Sequence, residues 1–404
     1  MPDVFNAFVE HAPAAPSHPG PLSGITIGVK ANIAVKGMRW TAGMALFRDR
    51  IADEDAAVVS ALRQAGAVIT GTLNMEEAAL GAKTDNPWFG PVDNPHRTGF
   101  TPGGSSGGSG AAVAAGLCDA ALGTDTLGSV RIPAAYCGIY GFKPAPTSVS
   151  QQGLELAEPS FDSIGPLARS IDLLERVARV ISDFGHDTAD QRFLTLANLG
   201  GADLGGADLG GSAPGGVECE PAVLAGFARA TCAIGDVAAF SLPHLVSRVR
   251  YAGFIKTVRF MATHFADADP ALLSDHLRRL IAVGPRRSDT GWAEDQRVLD
   301  ETADALRQAV AGRGIILLPT APQTAFAHTQ VAPANQADFT CLANIAGLPA
   351  ISLPAGFSDD GLPVAVQLIG ATGSEPALFA AARTLDTALS AYRPPATFHK
   401  GAAL

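Results

Sequence analysis

Eight residues, Gly103-Gly104-Ser105-Ser106-Gly107-Gly108-Ser109-Gly110, constrain this chain more than any others. Glycines at this density free the backbone from side-chain restraint and permit close approaches that a Cβ would block. The run does not read as a linker. Pro102 precedes it, and Ser109 to Leu117 continues it as an Ala-rich helix with Gly116 near its end. A helix that starts in a glycine-rich loop offers free N–H groups to an anion. However, the GK[ST] ending of a phosphate loop is missing, and no GxGxxG follows a strand. What remains is a tightly turned loop that presents serines. A second glycine-wrapped serine follows in Gly123-Thr124-Asp125-Thr126-Leu127-Gly128-Ser129-Val130-Arg131.

The surrounding pattern alternates strands and helices. Ile25 to Val29 reads as a strand that places Lys30 at its end. Asp55 to Ala65 has helical spacing and an acidic start, Ala67 to Thr70 is a strand, and Glu76 to Leu80 begins another helix. Ala120 to Gly123 is a short strand, and Ile164 to Ile181 a strand followed by a helix. Phe5 to His11 suits a short amphipathic helix before the Pro-rich Ala12 to Pro21. Strands return at Ile315 to Leu318 and Val364 to Ile369. The expectation is an α/β fold: one domain over 1–404, with a large mixed, mostly parallel sheet covered by helices on both faces.

Core motifs occupy 25–182 and 314–370. The intervening 185–312 is variable and mostly helical, and Phe254, Phe260, Met261 and Phe265 there are expected mainly to pack the core. Ala197-Asn198-Leu199-Gly200-Gly201 repeats twice more, to Gly211. Three such units are too few for a solenoid, which leaves a flexible surface loop as the expectation.

Charge and composition narrow the function. Twenty-nine basic against 39 acidic residues give a net charge of −10, which argues against a phosphate-backbone surface and hence against a nucleic-acid partner. No stretch approaches the ~20 apolar residues that cross a bilayer, and Met1 to Glu10 lacks a signal-peptide pattern. A cytoplasmic protein is expected. The five cysteines are odd in number and scattered without CxxC spacing, so reduced thiols are expected and no metal site. The nine histidines, His96, His264 and His328 among them, sit in no motif. Each reads as an ordinary surface or core histidine, and no cofactor is called for.

Taken together, Thr101–Gly116, Gly123–Pro144 and Gly28–Gly43 resemble the amidase signature family. Asn94-Pro95, the segment Asn344-Ile345-Ala346-Gly347-Leu348-Pro349-Ala350 and Gly361-Leu362-Pro363-Val364 are similar to that family as well, in the same order. The resemblance implies that Ser129 is the nucleophile, Ser105 a bridging serine after a cis peptide bond, and Lys30 the general base. It also implies an oxyanion hole made by the backbone N–H groups of Thr126, Leu127, Gly128 and Ser129. Ser106 would support the network, and Asp125 and Arg131 would hold the loop. The chemistry is coherent. A serine hydroxyl is a weak nucleophile until a base removes its proton, and a lysine can do so only when burial keeps it neutral.

The chain departs from the family pattern at four places. Ala31 replaces the frequent Asp, Met44 a frequent Ser, Ala145 a frequent Thr, and Leu127 the first of two glycines before the nucleophile. None removes a member of the proposed relay, so altered substrate preference is the expected consequence, with Leu127 narrowing the acyl pocket. The layout is similar to compact indole-3-acetamide-type and bacterial amidases. The implied function is hydrolysis of a small carboxylic amide, or a related urea, carbamate or ester, by a stand-alone enzyme. The alternative is the ammonia-producing glutaminase subunit of a tRNA-dependent amidotransferase. Expected partners are the amide substrate and a second copy in a homodimer.

Overall fold

Strands from both ends of the chain meet in one eleven-stranded sheet. The computed structural model describes residues 3–12, 17–186, 188, 191–197 and 217–396. The repeat beyond Ala197 lies outside the described residues.

In chain order the strands are β1 (Phe8–His11), β2 (Thr26–Lys30), β3 (Val68–Leu73), β4 (Asp85–Asn86), β5 (Gly90–Pro91), β6 (Ala120–Asp125) and β7 (Tyr140–Lys143). They continue with β8 (Ser163–Ala168), β9 (Arg192–Leu196), β10 (Val237–Phe240), β11 (Gly314–Pro319), β12 (Ala350–Phe357) and β13 (Pro363–Ile369). The large sheet runs β1-β3-β2-β6-β8-β7-β12-β13-β11-β9-β10, while β4 and β5 form a separate ribbon. Parallel pairing holds β3–β2–β6 and β11–β9–β10, and the pairs between and at β1 are antiparallel.

The helices are α1 (Ala57–Gln64), α2 (Gly107–Ala114), α3 (Arg131–Tyr136), α4 (Ile171–Ile181), α5 (Pro221–Ile234) and α6 (Val246–His264). After these come α7 (Asp275–Ile281), α8 (Val283–Arg286), α9 (Asp289–Val310), α10 (Cys341–Ile345) and α11 (Glu375–Leu389).

Strand periodicity explains how the sheet is covered. Along β6, Ala120 and Leu122 join one core cluster, and Ala121 between them joins another with Ala111 to Ala114 of α2. The small side chains of α2 let it lie close to the sheet. Helix α4 belongs to the other cluster. Ser170 accepts the Leu173 amide at its start, and Leu174, Val177, Ala178 and Ile181 form its buried stripe. Removing one of these, as in Leu174→Ala, costs about 2–5 kcal/mol.

Two local expectations fail, for identifiable reasons. Phe8 to His11 forms an edge strand antiparallel to β3, not a helix. The Asp3 carboxylate takes the amides of Phe5 and Phe8, a local alternative to helical bonding, and Asn6 has φ 57°. Glu76 to Leu80 makes only a 3-10 turn at Glu77–Ala79, with Ala78 and Ala79 at φ 52° and 57°. There the Glu76 carboxylate accepts the amides of Lys83 and Thr84 and curls the chain back on itself. Strands β10 and β12 carried no sequence signal that marked them in advance.

The topology brings three strand ends to one edge. β2 and β6 are parallel, so Lys30 and Asp125 end on the same side, and antiparallel β8 starts there, with Ser163 opposite Asp125.

Candidate active site

Lys30 is fully buried at the end of β2. Its Nζ lies 2.7 Å from Ser105 Oγ and 2.7 Å from Thr124 Oγ1. Burial pushes the ammonium down to about 7, against the carboxylates of Asp162, Asp125 and Glu76, which favour the charge. At neutral pH much of this lysine is an uncharged amine with a lone pair in contact with a serine hydroxyl. Such an amine can accept a proton.

The glycine run shapes the other half of the contact. Gly104–Ser105 is a cis peptide, as the resemblance implies. Ser105 is fully buried, and its carbonyl accepts the Glu76 amide at 3.0 Å. Ser106 joins the two serine motifs. Its hydroxyl donates to the Thr124 carbonyl at 3.2 Å, and its amide donates to the Ser129 carbonyl at 3.3 Å. Gly108 shows why a side chain is excluded, since a Cβ there would come within 2.3 Å of the Asn74 carbonyl oxygen.

Ser129 follows a loop held by a buried ionic network. Arg131 donates through Nε and Nη2 to both Asp125 oxygens, at 3.0 and 2.9 Å. It also reaches Gln367 Oε1 at 2.8 Å and Asn344 Oδ1 at 2.6 Å. Burial alone would raise the Asp125 carboxyl, but Arg131, Lys143 and Asn344 outweigh it and hold it at about 2. Asp125 also accepts the Gly128 amide at 2.8 Å. That bond corrects one expectation: Gly128 N–H is committed to Asp125 and is not free to meet an oxyanion. The amides of Thr126, Leu127 and Ser129 donate to no protein group among the described residues.

Thr126, Leu127 and Ser129 line a cleft of about 200 Å³ together with Leu80, Ile132 and Phe254. Phe254 is thus the cleft-facing member of its aromatic group, whereas Met261 and Phe265 are core residues. Arg250 also lines the cleft, with its Nε on the buried Asp338 at 2.5 Å. Leu127 packs across α6, where a Cβ on Gly253 would lie 3.2 Å from Leu127 Cδ2. Among the described residues no cluster of His, Cys, Asp and Glu suits a metal, and the five cysteines are unpaired. No helix there is long and apolar enough to cross a membrane.

Sequence reasoning missed Thr124, Asp162, Asn344 and Gln367. Thr124 sits inside the second serine motif, two residues from Thr126 on the strand that leads to Ser129, and that position was the only available signal. Asn344 opens the Asn344–Ala350 segment already singled out, whereas Asp162 and Gln367 come from distant segments and carry no local mark.

The family model described as Amidase matches residues 5–379. The chain is 33% identical to the A subunit of Glutamyl-tRNA(Gln) amidotransferase from Synechococcus sp. (strain RCC307), over 96% of this chain and 88% of that protein. It is 35% identical to the protein of the same name from Deinococcus radiodurans, over 91% and 84%. Among solved structures, the corresponding amidotransferase protein from Thermotoga maritima superposes with a TM-score of 0.81 at 28% identity, over 98% of this chain and 91% of that one. A structure described as an amidase gives 0.79 at 28% identity, over 92% and 86%. The chain belongs to the amidase family.

Proposed function

We propose that this chain cleaves a carboxylic amide through an acyl-enzyme on Ser129. Lys30, neutral, takes the Ser105 hydroxyl proton as Ser105 takes that of Ser129. The freed oxygen forms a bond to the amide carbonyl carbon, and the carbonyl electrons move onto oxygen. The amides of Thr126, Leu127 and Ser129 would receive that oxyanion. Collapse breaks the C–N bond, the proton returns through Ser105 to the leaving nitrogen, and water then releases the acid by the same path. The observation that carries this reading is the 2.7 Å contact between Ser105 Oγ and a lysine held near neutrality.

Two settings fit that chemistry. One is a stand-alone hydrolase of small amides, or of ureas, carbamates or esters. The other is the ammonia-producing subunit of a tRNA-dependent amidotransferase, and the curated relatives, matched over nearly the whole chain, favour it. Purified alone, the chain is expected to be labelled by a fluorophosphonate, and Ser129→Ala is expected to abolish the labelling. Labelling that persists at full level in Ser129→Ala overturns the mechanism. Glutaminase activity that appears only with partner subunits and tRNA supports the second setting. Turnover of simple amides by the chain alone supports the first.

A further inference from the structure

Asp162 is a buried carboxylate with no basic side chain bonded to it among the described residues. Its Oδ1 accepts the Thr126 hydroxyl at 2.5 Å, and its Oδ2 accepts the amides of Ala157 and Glu158 at 2.7 and 3.0 Å. Every one of these neighbours donates, which is the environment of an ionised group. Several other buried carboxylates carry a basic partner. Asp125 is bound by Arg131, Asp338 by Arg250, and Asp295 by Arg248 and Arg287. An unpaired buried charge costs several kcal/mol, so its retention calls for a use.

The positive group nearest in function is Lys30. Thr124, which contacts Lys30, and Thr126, which binds Asp162, are separated by Asp125 alone. Lys30 ends β2 and Asp162 immediately precedes β8, with β6 between them, so both stand at one edge of the sheet. Three carboxylates favour the Lys30 ammonium: Asp162 most strongly, then Asp125 and Glu76. Asp125 is already matched by Arg131, and Glu76 is held by the amides of Lys83 and Thr84. Glu158 is the further charge that bears on Asp162 itself.

We propose that Asp162 is a positioning residue: its carboxylate is the counter-charge for the Lys30 ammonium formed when Ser129 attacks, and its bond to Thr126 fixes that charge to the oxyanion loop. The inference rests on the relay of Lys30, Ser105 and Ser129. In the ground state Lys30 is neutral and Asp162 has no cation to meet. In the tetrahedral intermediate the amine carries a proton, the substrate oxygen carries the negative charge, and Asp162 acts on the former. Its hold on the Thr126 hydroxyl leaves the Thr126 amide for the latter.

The test is the pH profile of kcat/KM. Removing a negative charge makes the ammonium less stable, so Asp162→Asn is expected to move the acid limb to lower pH by about one unit. The plateau kcat is expected to fall about tenfold, the factor that one unit represents. Thr126→Val leaves the carboxylate in place but removes a bond that favours its ionised form, so it is expected to lower kcat and to move the limb less far than Asp162→Asn does. A structural role for Asp162 predicts lower stability with an unmoved limb, and that result overturns the inference.

A second measurement needs no change at Asp162. In Ser129→Ala protein labelled with 13Cε-lysine, the Lys30 resonance, identified by its loss in Lys30→Met, is expected to shift near pH 7. A further displacement is expected near pH 6, where burial places the Asp162 carboxyl. A single inflection overturns the inference. Full activity in Lys30→Met would instead sink the relay, so the two failures are distinguishable.

Discussion

The hydroxyl of Thr340 donates to the Leu127 carbonyl at 2.7 Å, and it occupies the space where a Cβ on Gly128 would stand. The two ends of the Leu127–Gly128 peptide are therefore fixed, its carbonyl by Thr340 and its N–H by Asp125. Gly128 has φ 137°, a conformation open to glycine and strained for other residues. Its Cβ would fall 2.2 Å from Thr340 Oγ1.

Gly128→Ala is accordingly expected to disturb the loop more than the core. Activity should fall at least about 100-fold, the effect of losing an oxyanion donor, with a modest loss of thermal stability. Thr340→Val removes only the hydrogen bond and should cost about tenfold in kcat, equivalent to about 1.4 kcal/mol. Steady-state kinetics beside thermal melts check both. A Gly128→Ala enzyme with wild-type kcat would show that the loop is not held this way.

Lys30 is expected to set both an activity limb and a stability slope. The proposed base works when neutral, so kcat/KM is expected to rise with pH through a limb near 7. In the unfolded chain this lysine binds its proton up to about 10.5, so between about 7 and 10.5 the unfolded state holds more protons than the folded one. Stability therefore rises with pH across that window, by up to about 1.4 kcal/mol per unit for each such group. Lys143, fully buried and pushed down to about 7 by burial and Arg131, contributes in the same direction. Urea denaturation from pH 7 to 8.5 is expected to give this positive slope, and Lys30→Met to reduce it. An unchanged slope would mean that Lys30 is charged in the folded protein at neutrality.

The segments that carry the proposed relay were legible in the sequence, and the residues that reach them by assembly were not. Lys30, Ser105 and Ser129 each end or follow a strand or glycine turn whose signal spans a few residues. Gln367 reaches the site through the register of β13 on β12 beside β7, and pairings between distant segments leave no mark in a local pattern. The Thr126–Ser129 loop was legible as a motif, yet the direction of the Gly128 N–H was not. It depends on Thr340, which lies 213 positions beyond Leu127 and holds the other end of the same peptide. The misread segment at Phe5 to His11 makes the same point, because its amphipathic spacing was overridden by pairing with β3.

Leu127 is expected to limit the size of the group that reaches Ser129. It lines the cleft and packs against the helix face at Gly253, so the side chain takes space that a glycine would leave open. Leu127→Gly should raise kcat/KM for bulky aryl amides relative to short aliphatic ones by about tenfold, while stability drops by about 1–2 kcal/mol for a half-buried leucine. Gly253→Ala should act oppositely by pressing Leu127 toward the cleft. A substrate panel run on the three proteins checks this. Parallel changes across the panel would assign Leu127 to loop stability instead of selectivity.

The Asp125–Arg131 pair should govern how the site fails in acid. Asp125 is held at about 2 against an ordinary value near 3.8, so the pair's contribution is complete above about 4 and is lost as pH falls toward 2. Arg131→Met removes the cation but leaves Asp125 buried among Asn344 and the loop amides. The expected cost is about 3–5 kcal/mol, because an uncompensated carboxylate remains. With Arg131 gone, burial dominates and the Asp125 carboxyl rises, so acid unfolding should begin at higher pH than in wild type. Pairing the change with Asp125→Asn takes away the orphaned charge, and the double variant should recover much of the lost stability. It should remain poorly active, since the introduced carboxamide would hold the Gly128 amide through a weaker neutral bond. Acid titrations followed by near-ultraviolet circular dichroism distinguish the outcomes. Equal stability in Arg131→Met and the double variant would mean that the cost lies in lost packing and not in the unpaired charge.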